Sequence, residues 1–206
     1  MENNMKKRLL LMCLASAVST IALMGVTSKG LLENGESAKP KTVEITFDYV
    51  KQSGPGSNQY AVWIENDKKE VVKTLFVTSF TTKGRVREGQ PIRRGYTYRP
   101  TCVPTWVANS KVAEMPDAAL DAFTGATPQS GKQTFTWDFT DSEGKKVAKG
   151  KYRICIEATL KNDYRVLYTG EVSSKAKRGE LVMNKEVIGQ DDAYAGMIKS
   201  VKAVVY

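Results

Sequence analysis

From position 43 onward, apolar and polar residues alternate along the chain with a period of two. Val43, Ile45, Phe47 and Tyr49 share one face and Glu44, Thr46 and Asp48 the other, which predicts a half-buried strand. The turn-rich run Gly54-Pro55-Gly56-Ser57-Asn58 follows, and then Tyr60, Val62 and Ile64 alternate with Ala61, Trp63 and Glu65. Asn66-Asp67-Lys68-Lys69 reads as the turn of a hairpin whose return strand is Val71 to Val77. The same signals recur at Gln133 to Phe139, at the turn Asp141-Ser142-Glu143-Gly144, at Lys151 to Leu160 with Tyr152, Ile154 and Ile156 inward, at Arg165 to Val172 and at Ser200 to Tyr206. About seven short strands with turns between them predict an all-β antiparallel sandwich with Trp137, Tyr152, Ile154 and Ile156 in its core. No helix-period segment runs beyond about three turns, which disfavours α/β architectures.

The stretch from Thr78 to Gly131 breaks the alternation. Thr82 to Tyr98 is rich in Arg, Lys and Gly and has no clean period. Pro104 to Ala118 predicts one or two short helices with Trp106 and Val107 turned inward, and Pro116 to Phe123 a further short helix that Gly125 could end as a left-handed cap. A long irregular or short-helical insertion in a regular sandwich is uncommon unless it is functional or mobile, so the insertion is where a site is expected.

Ahead of the strands, Lys6, Lys7 and Arg8 precede an apolar run from Leu9 to Ser28, and Val26-Thr27-Ser28 offers small residues to a signal peptidase before Lys29. The run serves as a signal peptide or, if uncleaved, as an N-terminal membrane anchor. Either sends the remainder across the membrane, to a periplasmic or other extracytoplasmic location, with an inner-membrane anchor in the second case. Cys13 follows Arg8 after only four apolar residues, too short a run for a lipoprotein signal. The expected organisation is residues 1–28 as targeting segment, 29–41 as linker and 42–206 as the sandwich domain.

Composition narrows the chemistry. The 206 residues include no His, which removes Ser-His-Asp and Cys-His catalysis, His-ligated haem and imidazole-based zinc sites. Asp117, Asp121 and Asp138 have no spacing that calls for carboxylate catalysis, so a hydrolase is disfavoured. Residues after position 28 carry 28 basic against 21 acidic side chains, a net +7. Lys83, Arg85, Arg87, Arg93, Arg94 and Arg99, interleaved with Tyr96 and Tyr98, concentrate that charge. Such a cluster suits a phosphate, a nucleic-acid backbone or an acidic surface, or is simply a solvated basic loop, and export argues against nucleic acid. Cys102 and Cys155 could pair as a disulfide outside the cytoplasm or remain two buried thiols.

The sharpest motif is Asp121-Ala122-Phe123-Thr124-Gly125-Ala126-Thr127. It resembles the D-x-x-[S/T]-G-A-T acceptor of exported bacterial proteins that receive covalent flavin mononucleotide (FMN) from a flavin transferase. The resemblance implies Thr127 as acceptor hydroxyl and Asp121, Thr124, Gly125 and Ala126 as recognition or positioning residues. Gly125 would permit a tight turn and close approach of another backbone, and Ala126 would leave the Thr127 hydroxyl uncrowded. Trp106 is the aromatic expected near the flavin ring, with Tyr96 and Tyr98 as further candidates, and the arginine loop would favour the reduced, anionic flavin.

A second resemblance spans most of the exported part. Tyr60-Ala61-Val62-Trp63-Ile64-Glu65, Val72-Lys73-Thr74-Leu75, the Asp121–Thr127 motif, Thr134-Phe135-Thr136-Trp137-Asp138, Asp141, Gly144 and Gly150-Lys151-Tyr152 look like an uncharacterised family of predicted periplasmic bacterial proteins. The last part is also similar to the immunoglobulin-like module of flagellar hook-capping proteins. These likenesses imply an immunoglobulin-like sandwich and, as partners, an exported flavin transferase and a membrane electron-transfer protein. The expected function is an exported electron-transfer module with FMN on Thr127, a redox carrier or accessory protein more than a stand-alone enzyme. The alternative is a cofactor-free immunoglobulin-like binding or structural module of the cell envelope.

Overall fold

The computed structural model of the chain describes residues 41–53, 56–85, 88–89, 92–161, 164–189 and 195–206. The export segment, the linker up to position 40, Cys13 and Arg87 lie outside the described residues. In chain order the strands are β1 (Val43–Tyr49), β2 (Gln59–Asn66), β3 (Val71–Thr78), β4 (Thr124–Gly125), β5 (Gly131–Trp137), β6 (Lys151–Thr159), β7 (Arg165–Ser173), β8 (Gly179–Glu180), β9 (Asn184–Ile188) and β10 (Ile198–Val205). Short helices α1 (Ser79–Thr82), α2 (Gly95–Tyr98), α3 (Pro104–Ser110) and α4 (Asp117–Asp121), with a 3-10 turn at Val112–Glu114, all lie between β3 and β4.

One sheet has the order β5-β1-β10-β8 and the other β4-β3-β2-β6-β7-β9. The expected all-β sandwich with a short-helical insertion is what the chain forms. Every pairing between these strands is antiparallel except β3 with the two-residue β4, which run parallel. Period-two alternation delivers the core between the sheets: Val43, Ile45, Phe47 and Tyr49 of β1 meet Tyr60, Val62 and Ile64 of β2 and Tyr152, Ile154 and Ile156 of β6, with Trp137 from β5. Tyr60 stacks on Phe76 with ring centroids 4.8 Å apart and meets Phe47 edge-on at 5.8 Å.

The Trp137-Asp138, Asp141, Gly144 and Gly150-Lys151-Tyr152 positions do structural work here. Trp137 Nε1 donates to Thr140 O at 2.8 Å, and one Asp141 carboxylate oxygen accepts from Glu143 N and Lys145 N, both at 2.9 Å. Gly144 takes φ +78° in that turn, and Tyr152 Oη donates back to Ala148 O at 2.7 Å, pinning the entry to β6.

Several expectations change in detail. Strand β5 ends at Trp137, because Phe139 adopts a left-handed φ of 57°. Strand β10 starts at Ile198, two residues earlier than the pattern shows, and its pairing with β1 skips a step between Thr46 and Asp48, beside Ser200 at φ 53°. The two-residue strands β4 and β8 and the exposed edge strand β9 carry no readable period. Cys102 and Cys155 are both buried free thiols. Burial pushes the Cys102 thiol up to about 11 and Cys155 well above its ordinary value.

The largest departure is on the outward face of the six-stranded sheet. Ala61, Trp63, Val77 and Cys155 are buried there beneath Val103, Trp106, Val112 and Leu120 of the insertion, which forms a second apolar core. Strand β2 is therefore buried on both faces from Gln59 to Glu65.

Candidate functional site

The motif expected to carry function lies at the margin of that second core. Asp121 ends α4, Phe123 packs edge-on against Trp106 with centroids 6.1 Å apart, and Thr124–Gly125 form β4 beside Val77 and Thr78. Gly125 is not a left-handed cap. It is extended in β4, and α4 is closed by Ala122 in right-handed helical geometry (φ −62°). Gly is required for another reason: a Cβ at position 125 would stand 2.4 Å from Phe76 Cε2. Phe76 in turn stacks on Tyr60 and packs against Phe135, so the ring is held by its neighbours.

Past β4 the chain leaves regular structure. Ala126 is exposed and Thr127 half-buried. The Thr127 hydroxyl donates to Asn58 O at 3.3 Å, a long bond at the open edge of an otherwise tight polar network. The same Asn58 carbonyl accepts from Gln59 Nε2 at 2.7 Å, and Gln59 Nε2 also donates to Ser57 Oγ. On its other side, Gln59 Oε1 accepts from the buried Thr78 and Thr81 hydroxyls at 2.5 and 3.2 Å. Thr82 and Thr124 hydroxyls meet at 3.0 Å. Hydrogen bonds from buried side chains thus hold the floor beneath Thr127, while Thr127 itself is only lightly held.

Two of the predicted cations reach α4. Lys83 Nζ pairs with Asp121 Oδ1 at 2.5 Å, and Arg94 Nη2 with Asp117 Oδ1 at 2.6 Å. Together with Thr82, Ile92 and Leu120 these four side chains frame a cleft of about 250 Å³, open to solvent. The carboxylates neutralise Lys83 and Arg94, so the positive field expected at the motif falls to Arg85, Arg93 and Arg99. Exposed pairs of this kind contribute about 0–1 kcal/mol each.

The expected ring neighbours are placed differently from one another. Trp106 is fully buried, its Nε1 donating to Thr74 Oγ1 at 3.0 Å, and it supports the motif from beneath through Phe123. Tyr96 is half-buried against the second core. Tyr98 is 53% exposed and carries the Arg93 guanidinium over its ring at 5.2 Å.

The alternation of β2 and β6 conceals a set of buried charges. Glu157 and Glu65 sit at outward positions that a half-buried strand would give to water, yet they are 0% and 3% exposed. Glu157 accepts from Thr105 N, Thr105 Oγ1 and Trp106 N at the start of α3, with Arg165 Nε 3.2 Å away. Burial pushes its carboxyl above the ordinary range even against those donors. Glu65 takes bonds from Trp63 Nε1 and Asn109 Nδ2 and pairs with Arg153 Nε at 2.9 Å. These glutamates clamp the insertion onto the sheet. The one sequence signal that could have found them is Trp63 and Ala61 on the supposedly wet face of β2. Among the described residues no cluster of Cys, Asp and Glu could hold a metal ion, and no helix is long and apolar enough to cross a membrane.

Residues 40–189 match the family model described as "Predicted periplasmic protein (DUF2271)". The chain belongs to this family. The DUF2271 span takes in the whole insertion, the Asp121–Thr127 motif and both clamping glutamates, and it ends before β10. Its description agrees with the periplasmic destination expected from the N-terminal segment. No curated protein and no solved structure matches the chain.

Proposed function

We infer that this DUF2271 protein is an exported flavin carrier, with FMN joined through its phosphate to Thr127 Oγ1 and the sandwich serving as an extracytoplasmic electron-transfer module. The observation that carries this reading is the setting of Thr127: a lightly bonded hydroxyl next to the exposed Ala126, over a floor held by Gln59, Thr78 and Thr81. The transferase would bring a flavin dinucleotide donor. As the Thr127 Oγ1–P bond forms, the donor's P–O–P bond breaks, the nucleoside monophosphate leaves and the hydroxyl proton is lost. The bond to Asn58 O then ends, while that carbonyl keeps Gln59 Nε2 as donor. Gly125 and Ala126 leave the chain slim where a transferase must approach, and Lys83 fixes the Asp121 side chain at the head of the motif. The bound flavin would supply the redox chemistry, and this chain the position and the local field. The partners are an exported flavin transferase and a membrane electron-transfer protein. An uncleaved N-terminal segment would hold the carrier at the inner membrane.

The test is co-expression with an active exported flavin transferase. Covalent flavin fluorescence on the purified protein that vanishes in Thr127→Ala and persists in Thr127→Ser supports attachment at that hydroxyl. A colourless protein overturns it. The second reading, a cofactor-free binding module, draws on a groove of about 330 Å³ lined by Val71, Val72, Met115, Ala119 and Phe123, and it predicts the colourless result.

A further inference from the structure

Three guanidinium groups of the insertion have no carboxylate partner among the described residues: Arg85, Arg93 and Arg99. They are gathered, not scattered. Arg85 and Arg93 face each other across an isolated antiparallel bridge, and Arg93 lies 5.2 Å from the centre of the Tyr98 ring. Arg85 and Arg99 both stand over Phe80, at 5.4 and 5.9 Å. A guanidinium over a ring keeps N–H edges free for an anion. On this face the Tyr98 ring is 53% exposed, while Ile92, 58% exposed and next to Arg93 in the chain, lines the neighbouring cleft with Lys83, Arg94, Asp117 and Asp121. Glu88, exposed in the intervening turn, is the described carboxylate of this loop.

We propose that this face docks the domain on an anionic phospholipid leaflet. The arginines fork onto headgroup phosphates, while the Tyr98 ring enters the boundary between headgroups and acyl chains. An acidic protein would also satisfy the cations. The bilayer is favoured because the exported part carries a net +7 and an uncleaved N-terminal segment would hold it beside a membrane, where weak contacts act at high effective concentration. The Lys83–Asp121 and Arg94–Asp117 pairs tie this loop to α4, so docking brings the Asp121–Thr127 motif toward the membrane surface. The proposal does not rest on flavin attachment.

The test uses the exported protein with vesicles of phosphatidylcholine, either alone or with about one third phosphatidylglycerol. Ile92→Cys, next to Arg93 and made together with Cys13→Ser, provides the single site for a thiol-reactive, environment-sensitive fluorophore, because Cys102 and Cys155 are buried. Docking predicts a blue shift and protection from aqueous quenchers with the anionic vesicles alone, lost at high salt. Each Arg→Gln change at 85, 93 or 99 should weaken partitioning roughly fivefold and the triple change roughly a hundredfold, at about 1 kcal/mol per arginine near the surface. A retained N-terminal anchor inserts into both vesicle types and leaves the contrast intact. An unchanged probe signal, equal response to both vesicles, or capture by soluble polyglutamate without response to vesicles overturns the proposal. The labelled single variant keeps the test decisive if the triple variant fails to fold.

Discussion

The two faces of the six-stranded sheet are built on different principles. The inner face is apolar without interruption: Tyr60, Val62, Ile64, Ile154 and Ile156 pack against the four-stranded sheet. The outer face mixes Trp63 and Cys155 with Glu65, Arg153 and Glu157, and it is dry only because the insertion covers it. Burial by apolar packing is non-directional and tolerant of volume-conserving change. Burial of charge demands named partners, here the N–H groups of Thr105 and Trp106 and the guanidiniums of Arg153 and Arg165. The inner face holds the fold, and the outer face holds the insertion, which presents Thr127 and the arginine face, on the fold.

Breaking the inner face should have the largest effect. Trp137→Ala removes a fully buried ring and is expected to cost about 3–5 kcal/mol, read as a lower urea midpoint with loss of all β signal in one transition. Breaking the outer face by Glu157→Ala leaves Arg165 and the α3 N–H groups without their carboxylate, for about 3 kcal/mol. Its signature differs from that of Trp137→Ala: amide exchange should quicken across residues 103–110 while β1 and β10 stay protected. Equal loss of protection in both regions would show that the two faces are not separable.

A smaller effect probes the contact between β4 and the sandwich. Gly125→Val is expected to cost about 1–3 kcal/mol because its side chain overlaps the Phe76 ring, and Phe76→Leu in the same chain should recover part of it. No recovery would mean that the backbone, not the ring, is the obstacle.

The least effect is at Asp138, on the rim of the sandwich. Burial pulls its carboxyl upward, but hydrogen bonds from Thr140 and Lys73 outweigh that and hold it below the ordinary range. A lowered folded-state value gives stability that is present above the unfolded value of about 3.9 and is lost as pH falls through the folded one. The pair is half exposed, so the contribution stays below about 1 kcal/mol. Asp138→Asn should lower stability at neutral pH by that small amount and leave it nearly unchanged in strong acid, which flattens the acid limb of a stability–pH profile.

The inner face was legible in the sequence because alternation over β1, β2 and β6 needs nothing beyond neighbouring residues. The outer face was not, since Glu157 and Glu65 look like ordinary polar positions until Thr105, Trp106 and Asn109 arrive from some forty to fifty positions away. The strand β4 escaped notice because two residues have no period, and for the same reason Gly125 looked like a cap when its constraint is the Phe76 ring. The motif around it was legible as a motif, and its support was not: the Gln59, Thr78 and Thr81 bonds join residues that no local pattern connects.

The most direct measurement is the intact mass of the protein recovered from the periplasm of cells with an active exported flavin transferase, set beside Thr127→Ala. Attachment predicts that the wild type gains the mass of one FMN less water, that the variant does not, and that their stabilities differ by no more than about 0.5 kcal/mol, because Thr127 contributes a single long hydrogen bond. Wild-type protein recovered at its unmodified mass contradicts the flavin-carrier function.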